Sequence, residues 1–317
     1  MKKILVSDRT HEVLPQRLRE AGFEVSVEPD HDYESLVEAA QGCEGLVVRS
    51  KVVIDSAFVD RVSSLRCIGR VGAGMETIDV DYAEAHGIRC LNSPEGNRDA
   101  VGEHAVGLLL ALFNNIACAD AEVRRGLWQR EANRGLEIKG KTIGIIGFGN
   151  MGQAFAQRLG GFGCRIFFYD IKDSRDLKVL SELQAPQPVS LEELQAEADI
   201  VSFHVPLTKE TRHYLDTGFI AAMAKPFYLI NTARGAVVDT EALVAGLESG
   251  KVLGAALDVL EYENMQADGL GDVPASMRYL MQSPRTVLTP HVAGWTVESK
   301  YKLAAVLADK IIDVLSD

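Results

Sequence analysis

An α/β fold built on parallel sheets is predicted by three features of this sequence. Short apolar runs alternate with amphipathic stretches almost from the first residue, in two blocks. Strands that short, separated by helices, form βαβ units and a parallel sheet. A long apolar helical stretch and a polar connector divide the blocks, and glycine is plentiful at 28 of 317 residues, as many strand-to-helix turns require.

In the first block the strand candidates are "KKILVSD", "FEVSVEP", "EGLVVRS", "LRCIGRVG" and "IRCLN". Helical stretches lie between them at Leu14–Ala21, Tyr33–Ala40, Ser56–Val62 and Asp81–His86. One helix is then predicted from about Ala100 to Arg125. Its centre, "HAVGLLLALFNNIACA", is apolar on more than one face, so it must be buried in a core or against another subunit. The segment "RRGLWQREANRGLEIKG" has a linker's composition. The second block supplies "KTIGIIG", "CRIFFYD", "DIVSFHV", "FYLINTA", "VLGAALDV" and "RTVLTP", with helices such as Ala154–Gly160, Leu191–Ala198 and Thr240–Gly250 between them. Val297–Ser316 reads as a closing amphipathic helix.

Bulk properties narrow the classes of function. The chain is 47% hydrophobic and 25% charged, an ordinary globular composition with length enough for two domains. No apolar run reaches the roughly 20 residues that span a bilayer. The start, "MKKILVSDRT", lacks the apolar core and cleavage site of a signal peptide. The five cysteines are scattered without a CxxC pair, so neither a disulfide framework nor a zinc site is expected. A net charge of −12 argues against nucleic acid as a partner. Together these features predict a cytoplasmic protein with reduced thiols, no metal and no membrane association.

The stretch "TIGIIGFGNMG" holds Gly147, Gly149 and Gly152 as G-x-G-x-x-G, directly after a strand pattern and directly before a helix pattern. The first glycine permits the tight turn, the second lets a pyrophosphate approach the backbone, and the third lets helix and strand pack closely. The helix N-terminus, at Asn150 and Met151, offers free N–H groups to phosphate. Asp170 closes the next strand, where its carboxylate can accept hydrogen bonds from both ribose hydroxyls and repel a 2′-phosphate. NAD is therefore expected rather than NADP, although Lys172 lies close by.

Further chemistry is expected past the carboxyl ends of strands, where open α/β sheets bind ligands. "LINTARGAVVD" puts Arg234 there, able to clamp a carboxylate through two parallel hydrogen bonds; taken alone it also suits a surface loop. "ALDVLEYEN" offers Asp258, Glu261 and Glu263, which alone also read as a solvated acidic loop. "VLTPHVAGW" presents His291 behind a stiffening proline, the best placed of seven histidines for proton transfer. His204, in "SFHVPLT", competes with it. His104 reads as a core or interface histidine, and His11, His31, His86 and His213 as exposed.

In their order, "VVRSKVVID", "RVGAGMETIDV", "NSPEGN", "GEHAVGLLLAL", "GIIGFGNMG", "HVPLTKETRH", "INTARGAVVD", "GAALDV" and "TPHVAG" resemble the D-isomer-specific 2-hydroxyacid dehydrogenase family from Val47 to the end of the chain. The resemblance implies two doubly wound parallel-sheet domains. A flavodoxin-like substrate domain would take residues 1–97 and 290–317, and a Rossmann cofactor domain residues 98–289, with a cleft that closes over the ligands. It implies a catalytic trio: Arg234 to bind the substrate carboxylate and polarise its carbonyl, His291 as acid and base, and Glu263 to orient the imidazole. Asn264 stands where the family usually has proline, which leaves Glu261 as the alternative to Glu263.

The same resemblance assigns further residues. His204, Val205, Pro206 and Thr208 would lie near the adenosine half of NAD, with Thr232 and Ala233 also on the cofactor. Asp258 and Gly294 would face the nicotinamide carboxamide. Val71, Gly72, Ala73 and Gly74 would bind the substrate carboxylate. The segment with Arg49, Ser50 and Lys51 resembles a phosphate-binding one, with Arg49 and Lys51 as the candidate ligands and Arg70 nearby, so 3-phosphoglycerate is the expected substrate and glyoxylate, hydroxypyruvate or another short 2-oxo acid the alternative. A homodimer paired through the long helix is implied, and no appended regulatory domain is expected. A corepressor-like protein that binds NAD without turnover stays open.

Overall fold

The computed structural model describes residues 1–172, 186–263 and 273–316. They fall into two compact units, Met1–Asp99 with Trp295–Asp317, and Ala100–Gly294.

The first unit is a five-stranded sheet in the order β2-β1-β3-β4-β5, all parallel, with β1 Lys3–Val6, β2 Glu24–Val27, β3 Gly45–Val48, β4 Cys67–Arg70 and β5 Arg89–Asn92. That order is the flavodoxin-like one. Alternate residues of a strand face opposite sides, so the central strands feed two cores. Leu5, Leu46, Val48 and Ile68 face one core, with Phe58 of α3 (Ser56–Arg61) and Leu36 of α2 (Tyr33–Ala39). Ile4, Val6, Val47 and Cys67 face the other. There they meet α1 (Val13–Glu20) and the closing helix α12 (Val297–Ser316) through Leu14, Leu18, Leu307, Ile311 and Leu315. Each fully buried Leu or Ile contributes about 1.5–3 kcal/mol. The helices start where the sequence supplies caps: Asp32, Asp55 and Asp79 each accept a backbone N–H of the first turn, Asp79 at the head of α4 (Val80–Ala85).

The second unit is a seven-stranded parallel sheet, order β12-β11-β10-β9-β6-β7-β8. Its strands are β6 Thr142–Ile146, β7 Arg165–Tyr169, β8 Gln187–Pro188, β9 Ile200–Phe203, β10 Phe227–Asn231, β11 Val252–Leu257 and β12 Thr286–Leu288. Order reverses between β6 and β9, the switch point at which doubly wound sheets bind dinucleotides. Helices α8 (Leu191–Glu197) and α10 (Thr240–Ser249) follow the sequence reading, whereas α9 (Thr217–Ala222) and α11 (Ala275–Gln282) do not figure in it.

Two expectations need correction. The stretch Ala100–Arg125 is two helices, α5 Arg98–Phe113 and α6 Ile116–Arg124, bent by 62°. Asn115 breaks it with φ of 52°, a left-handed conformation that asparagine tolerates better than most residues. Burial follows the break: α5 presents Ala105, Leu108, Leu109 and Leu112 to the core, while α6 has no buried residue. Helix α7 spans Asn150–Arg158, not Ala154–Gly160, because Gly149 is already its N-cap. The second unit extends to Gly294. The backbone of residues 291–293 is bonded to Asp258, which keeps His291 in the second unit. No single helix among the described residues is long and apolar enough to cross a membrane.

Candidate active site

The turn after β6 has the shape of a phosphate cradle. Gly147 has φ of +88°, and a Cβ there would lie 2.8 Å from the His204 carbonyl oxygen. A Cβ on Gly152 would lie 2.2 Å from the Gly147 carbonyl oxygen, so only glycine lets α7 start this close to the strand. A Cβ on Gly149 would meet nothing within 4 Å, which leaves its backbone open to a ligand. Phe148 is fully buried and stacks on Phe168 at 3.9 Å, while Gln153 Nε2 donates to its carbonyl at 3.0 Å. At the end of β7, Asp170 Oδ2 accepts the Phe148 N–H at 2.7 Å and Oδ1 the Lys172 N–H at 2.9 Å. Each oxygen keeps a lone pair for a ribose hydroxyl. A cavity of about 380 Å³ adjoins it, lined by Phe168, Asp170, Lys172, Pro188, Val189, Ser190 and Glu193. An open glycine backbone, a helix N-terminus and a carboxylate one strand away fit a dinucleotide.

His204 follows β9. Its Nε2 lies 2.8 Å from Ser202 Oγ and its Nδ1 3.5 Å from Thr232 Oγ1, with the ring against Phe155. Burial pushes its pKa down to about 3, so the ring is neutral and unsuited to giving up a proton near neutral pH. Val205 is half-buried and Pro206 exposed; Thr208 is exposed and bonded to Thr211. After β10, the buried Asn231 side chain accepts the Ala233 N–H and donates to the Arg234 carbonyl, both at 3.0 Å. That clamp shapes the turn carrying Thr232, Ala233 and Arg234. The Arg234 guanidinium donates to the Ala233 carbonyl at 2.7 Å.

His291 sits in a turn fixed by one buried carboxylate. Asp258 closes β11, and its side chain is 1% exposed. Its Oδ1 accepts from Thr289 Oγ1 at 2.6 Å and Val292 N at 2.9 Å, its Oδ2 from Ala293 N at 2.8 Å, and its carbonyl from His291 N at 2.7 Å. Burial alone would raise the Asp258 pKa, but hydrogen bonds from His104, Thr289, Ala293 and Val292 outweigh it and hold the group ionised below its ordinary value. These bonds maintain His291 at φ of 54°, a conformation that costs a non-glycine residue about 1–3 kcal/mol. Gly294 follows, half-buried.

The imidazole Nδ1 of His291 lies 3.2 Å from Glu263 Oε1. That hydrogen bond is the main reason the His291 pKa is raised. Burial opposes it, the Glu263 and Asp258 charges add to it, and the Arg234 charge opposes it. Glu261 is committed elsewhere. Its Oε1 lies 2.6 Å from His213 Nε2, and its Oε2 accepts from Thr240 Oγ1 at 2.7 Å and Thr240 N at 3.1 Å. Of the two glutamates, Glu263 is thus the one beside His291. His213, read as simply exposed, instead ties the segment following β9 to this acidic loop. Asn264 lies outside the described residues.

The first unit holds the remaining predicted residues at the carboxyl ends of its strands. Asp8, past β1, accepts the Arg49 N–H at 2.8 Å, and Arg70 Nε donates to the Arg49 carbonyl at 3.2 Å. The Arg49 guanidinium lies over Trp295, 5.6 Å from the ring centroid, and Ser50 is exposed beside it. Lys51 and Arg9 both pair with Asp30. In the loop after β4, Val71 N bonds to Val48 O, Gly72 O accepts from Ser93 N at 2.9 Å, and Ala73 O accepts from Asn92 Nδ2 at 2.7 Å. A Cβ at Gly72 would lie 2.2 Å from Arg70 Nη1, while Gly74 continues the turn. Among the described residues no group of three or more His, Cys, Asp or Glu side chains could hold a metal ion.

The residues that sequence reasoning missed are Asp8, Asn231 and Thr289. Asn231 stands inside the motif that carries Arg234 and Thr289 inside the one that carries His291; Asp8 is remote in the chain from the Arg49 N–H it accepts.

Residues 106–293 match the D-isomer specific 2-hydroxyacid dehydrogenase, NAD binding domain, family. The chain is 37% identical to a hydroxypyruvate reductase of Thermotoga maritima over 92% of both chains. It is 36% identical to a D-3-phosphoglycerate dehydrogenase of Methanocaldococcus jannaschii, over 99% of this chain but 58% of that one. The crystal structure of the TT0316 protein from Thermus thermophilus superposes with a TM-score of 0.80 at 33% identity, covering 99% of this chain and 97% of that one.

Proposed function

Because the chain belongs to the D-isomer-specific 2-hydroxyacid dehydrogenase family, we propose that it reduces a small 2-oxo acid to the D-2-hydroxy acid, or runs the reverse, with Arg234, His291 and Glu263 as its catalytic groups. The observation that carries the reading is the His291–Glu263 pair, with Arg234 presented past a strand end of the same sheet. NAD, when bound, supplies or takes up the hydride at the carbonyl carbon. Gly147, Gly149, Asn150, Met151 and Gly152 would hold its pyrophosphate and Asp170 its ribose. Arg234 binds the substrate carboxylate and stabilises negative charge building on the carbonyl oxygen. With Nδ1 turned to Glu263, His291 has Nε2 left to deliver the proton in reduction and remove it in oxidation.

Asp170→Ala tests the cofactor assignment. Removing a charged acceptor of two ribose hydrogen bonds, and the repulsion of a 2′-phosphate, should narrow the preference for NADH over NADPH by about tenfold. Fluorescence titration with both nucleotides reads the ratio, and an unchanged ratio refutes the role.

The substrate reading is 3-phosphohydroxypyruvate, the oxidised partner of 3-phosphoglycerate. Arg49, held by Asp8 and capped by Trp295, would bind the phosphate, with Arg70 beside it. A shorter acid such as hydroxypyruvate or glyoxylate is the second reading. It is favoured by the pairing of Lys51 with Asp30 and by the match to a hydroxypyruvate reductase along 92% of both chains. NADH oxidation with 3-phosphohydroxypyruvate, hydroxypyruvate and glyoxylate, in wild type and Arg49→Ala, separates them. On the first reading the variant raises KM for the phosphorylated acid by about tenfold or more, the worth of one charge-assisted contact, and leaves the short acids within about twofold. Equal effects on all three acids refute it. Pairing of two copies through α6 and the segment after it is part of the same reading, supported by exposed Ile116, Val123, Leu127, Trp128 and Leu136.

A further inference from the structure

The structure places a second histidine behind the first, and we propose that His104 is a positioning residue for His291, acting through Thr289 and Asp258. The proposal rests on the reading of His291 as the acid–base group. His104 Nε2 lies 3.1 Å from Thr289 Oγ1 and 3.4 Å from Asp258 Oδ1. The Thr289 hydroxyl has one proton, and it is directed at Asp258 Oδ1, 2.6 Å away. Its oxygen therefore faces His104 as an acceptor, and His104 must carry its proton on Nε2. The result is a chain of donors, His104 to Thr289 to Asp258, that ends on the carboxylate holding the His291 turn.

That turn depends on its support. Asp258 takes the N–H groups of His291, Val292 and Ala293, the first through its carbonyl and the other two through its carboxylate. These bonds, together with the His291 N–H contact to the Thr289 carbonyl at 3.0 Å, hold His291 at its positive φ. His104 adds a fixed anchor from outside the turn. It stands on α5, whose Ala105, Leu108, Leu109 and Leu112 are locked into the core with Ile143 and Ile145 of β6. The helix and the cradle strand thus share one packed layer, and His104 ties the His291 turn to it. A buried carboxylate that loses a donor recruits another by shifting, and the bonds such a shift disturbs are those that hold the turn.

The charges that act on His291 are those of Glu263, Asp258 and Arg234, and the charged group beside His104 is Asp258. When the turn slackens, the Nδ1 contact with Glu263 lengthens, and the influence that raises the His291 pKa weakens.

Two readouts on two variants test this: steady-state reduction of 2-oxo acids, and the His291 titration midpoint followed by NMR on the substrate-free protein. His104→Leu should lower kcat about tenfold with KM for NADH within about twofold, and should move the midpoint down towards the free-imidazole value. His104→Gln, which restores a donor, should recover most of both. Thr289→Val, which removes the intermediate hydroxyl at constant shape, should reproduce the Leu phenotype and carries the test if Leu at 104 does not fold. Wild-type kcat and an unmoved midpoint in either folded variant overturn the proposal, as does loss of thermal stability alone. The midpoint is read without substrate or turnover. A wild-type protein that reduces no 2-oxo acid therefore refutes the acid–base reading, separately from the role of His104.

Discussion

His291→Ala should lower kcat for 2-oxo acid reduction by on the order of 100-fold or more while leaving NADH affinity nearly intact, because positioned general acid catalysis is worth about 10²–10⁴. The split between the two quantities is the informative part. The proposed pyrophosphate and ribose contacts lie in the glycine cradle and at Asp170, whose bonds are to Phe148 and Lys172 and do not involve His291. The turn itself is held by Asp258 through backbone groups that alanine retains. Alanine therefore deletes the ring and little else, apart from easing or aggravating a positive φ that favours neither residue strongly. Fluorescence titration for NADH and initial rates for turnover measure the two sides independently. Loss of NADH binding together with turnover would mean that His291 serves the cofactor, and that another group moves the proton.

Glu263→Gln is the second large effect. The carboxylate does two things for the ring: it accepts at Nδ1, fixing tautomer and orientation, and its charge favours imidazolium. Glutamine keeps the shape and can still accept through its amide oxygen, but it removes the charge. At pH values above the ordinary imidazole range, where the wild-type ring still holds its proton, the variant ring has lost it. Reduction there should fall by about 10–100-fold, while below about pH 6 the variant should approach wild type. Glu261→Gln offers the contrast: it disturbs the His213 and Thr240 contacts and leaves the His291 ring its partner.

The two parallel sheets were legible because their signals are local. An apolar run of four or five residues, an aspartate before a helix and a glycine after a strand act within one turn of chain, and that range is visible in sequence. The break at Asn115 was not, since two asparagines within an apolar helical pattern lower propensity only modestly, and the packing of α5 against one core decides where the helix ends. Residues 291–293 are likewise tied to the second unit by something remote in sequence, their bonds to Asp258, thirty-odd positions earlier in the chain. Within the site, Arg234 and His291 could be identified from the strand ends and motifs around them. The choice between Glu261 and Glu263 could not, because both lie on one short loop and only side-chain direction separates them. His104 was read as a core or interface histidine, and its Nε2 does have partners, in Thr289 and Asp258. Its partners make it more than that, and a sequence gives no warning of them.

The central claim is that an imidazolium kept protonated by Glu263 supplies the proton. The most direct measurement is kcat/KM for 2-oxo acid reduction against pH, in wild type and Glu263→Gln. A raised pKa means that the active, protonated form is fully present below the ordinary imidazole pKa of 6.5 and is lost only as pH rises through the higher folded value. The wild-type alkaline limb should therefore lie above 6.5, and the variant limb should move down from it. The same limb in both proteins, or a wild-type limb already complete below 6.5, would contradict the account.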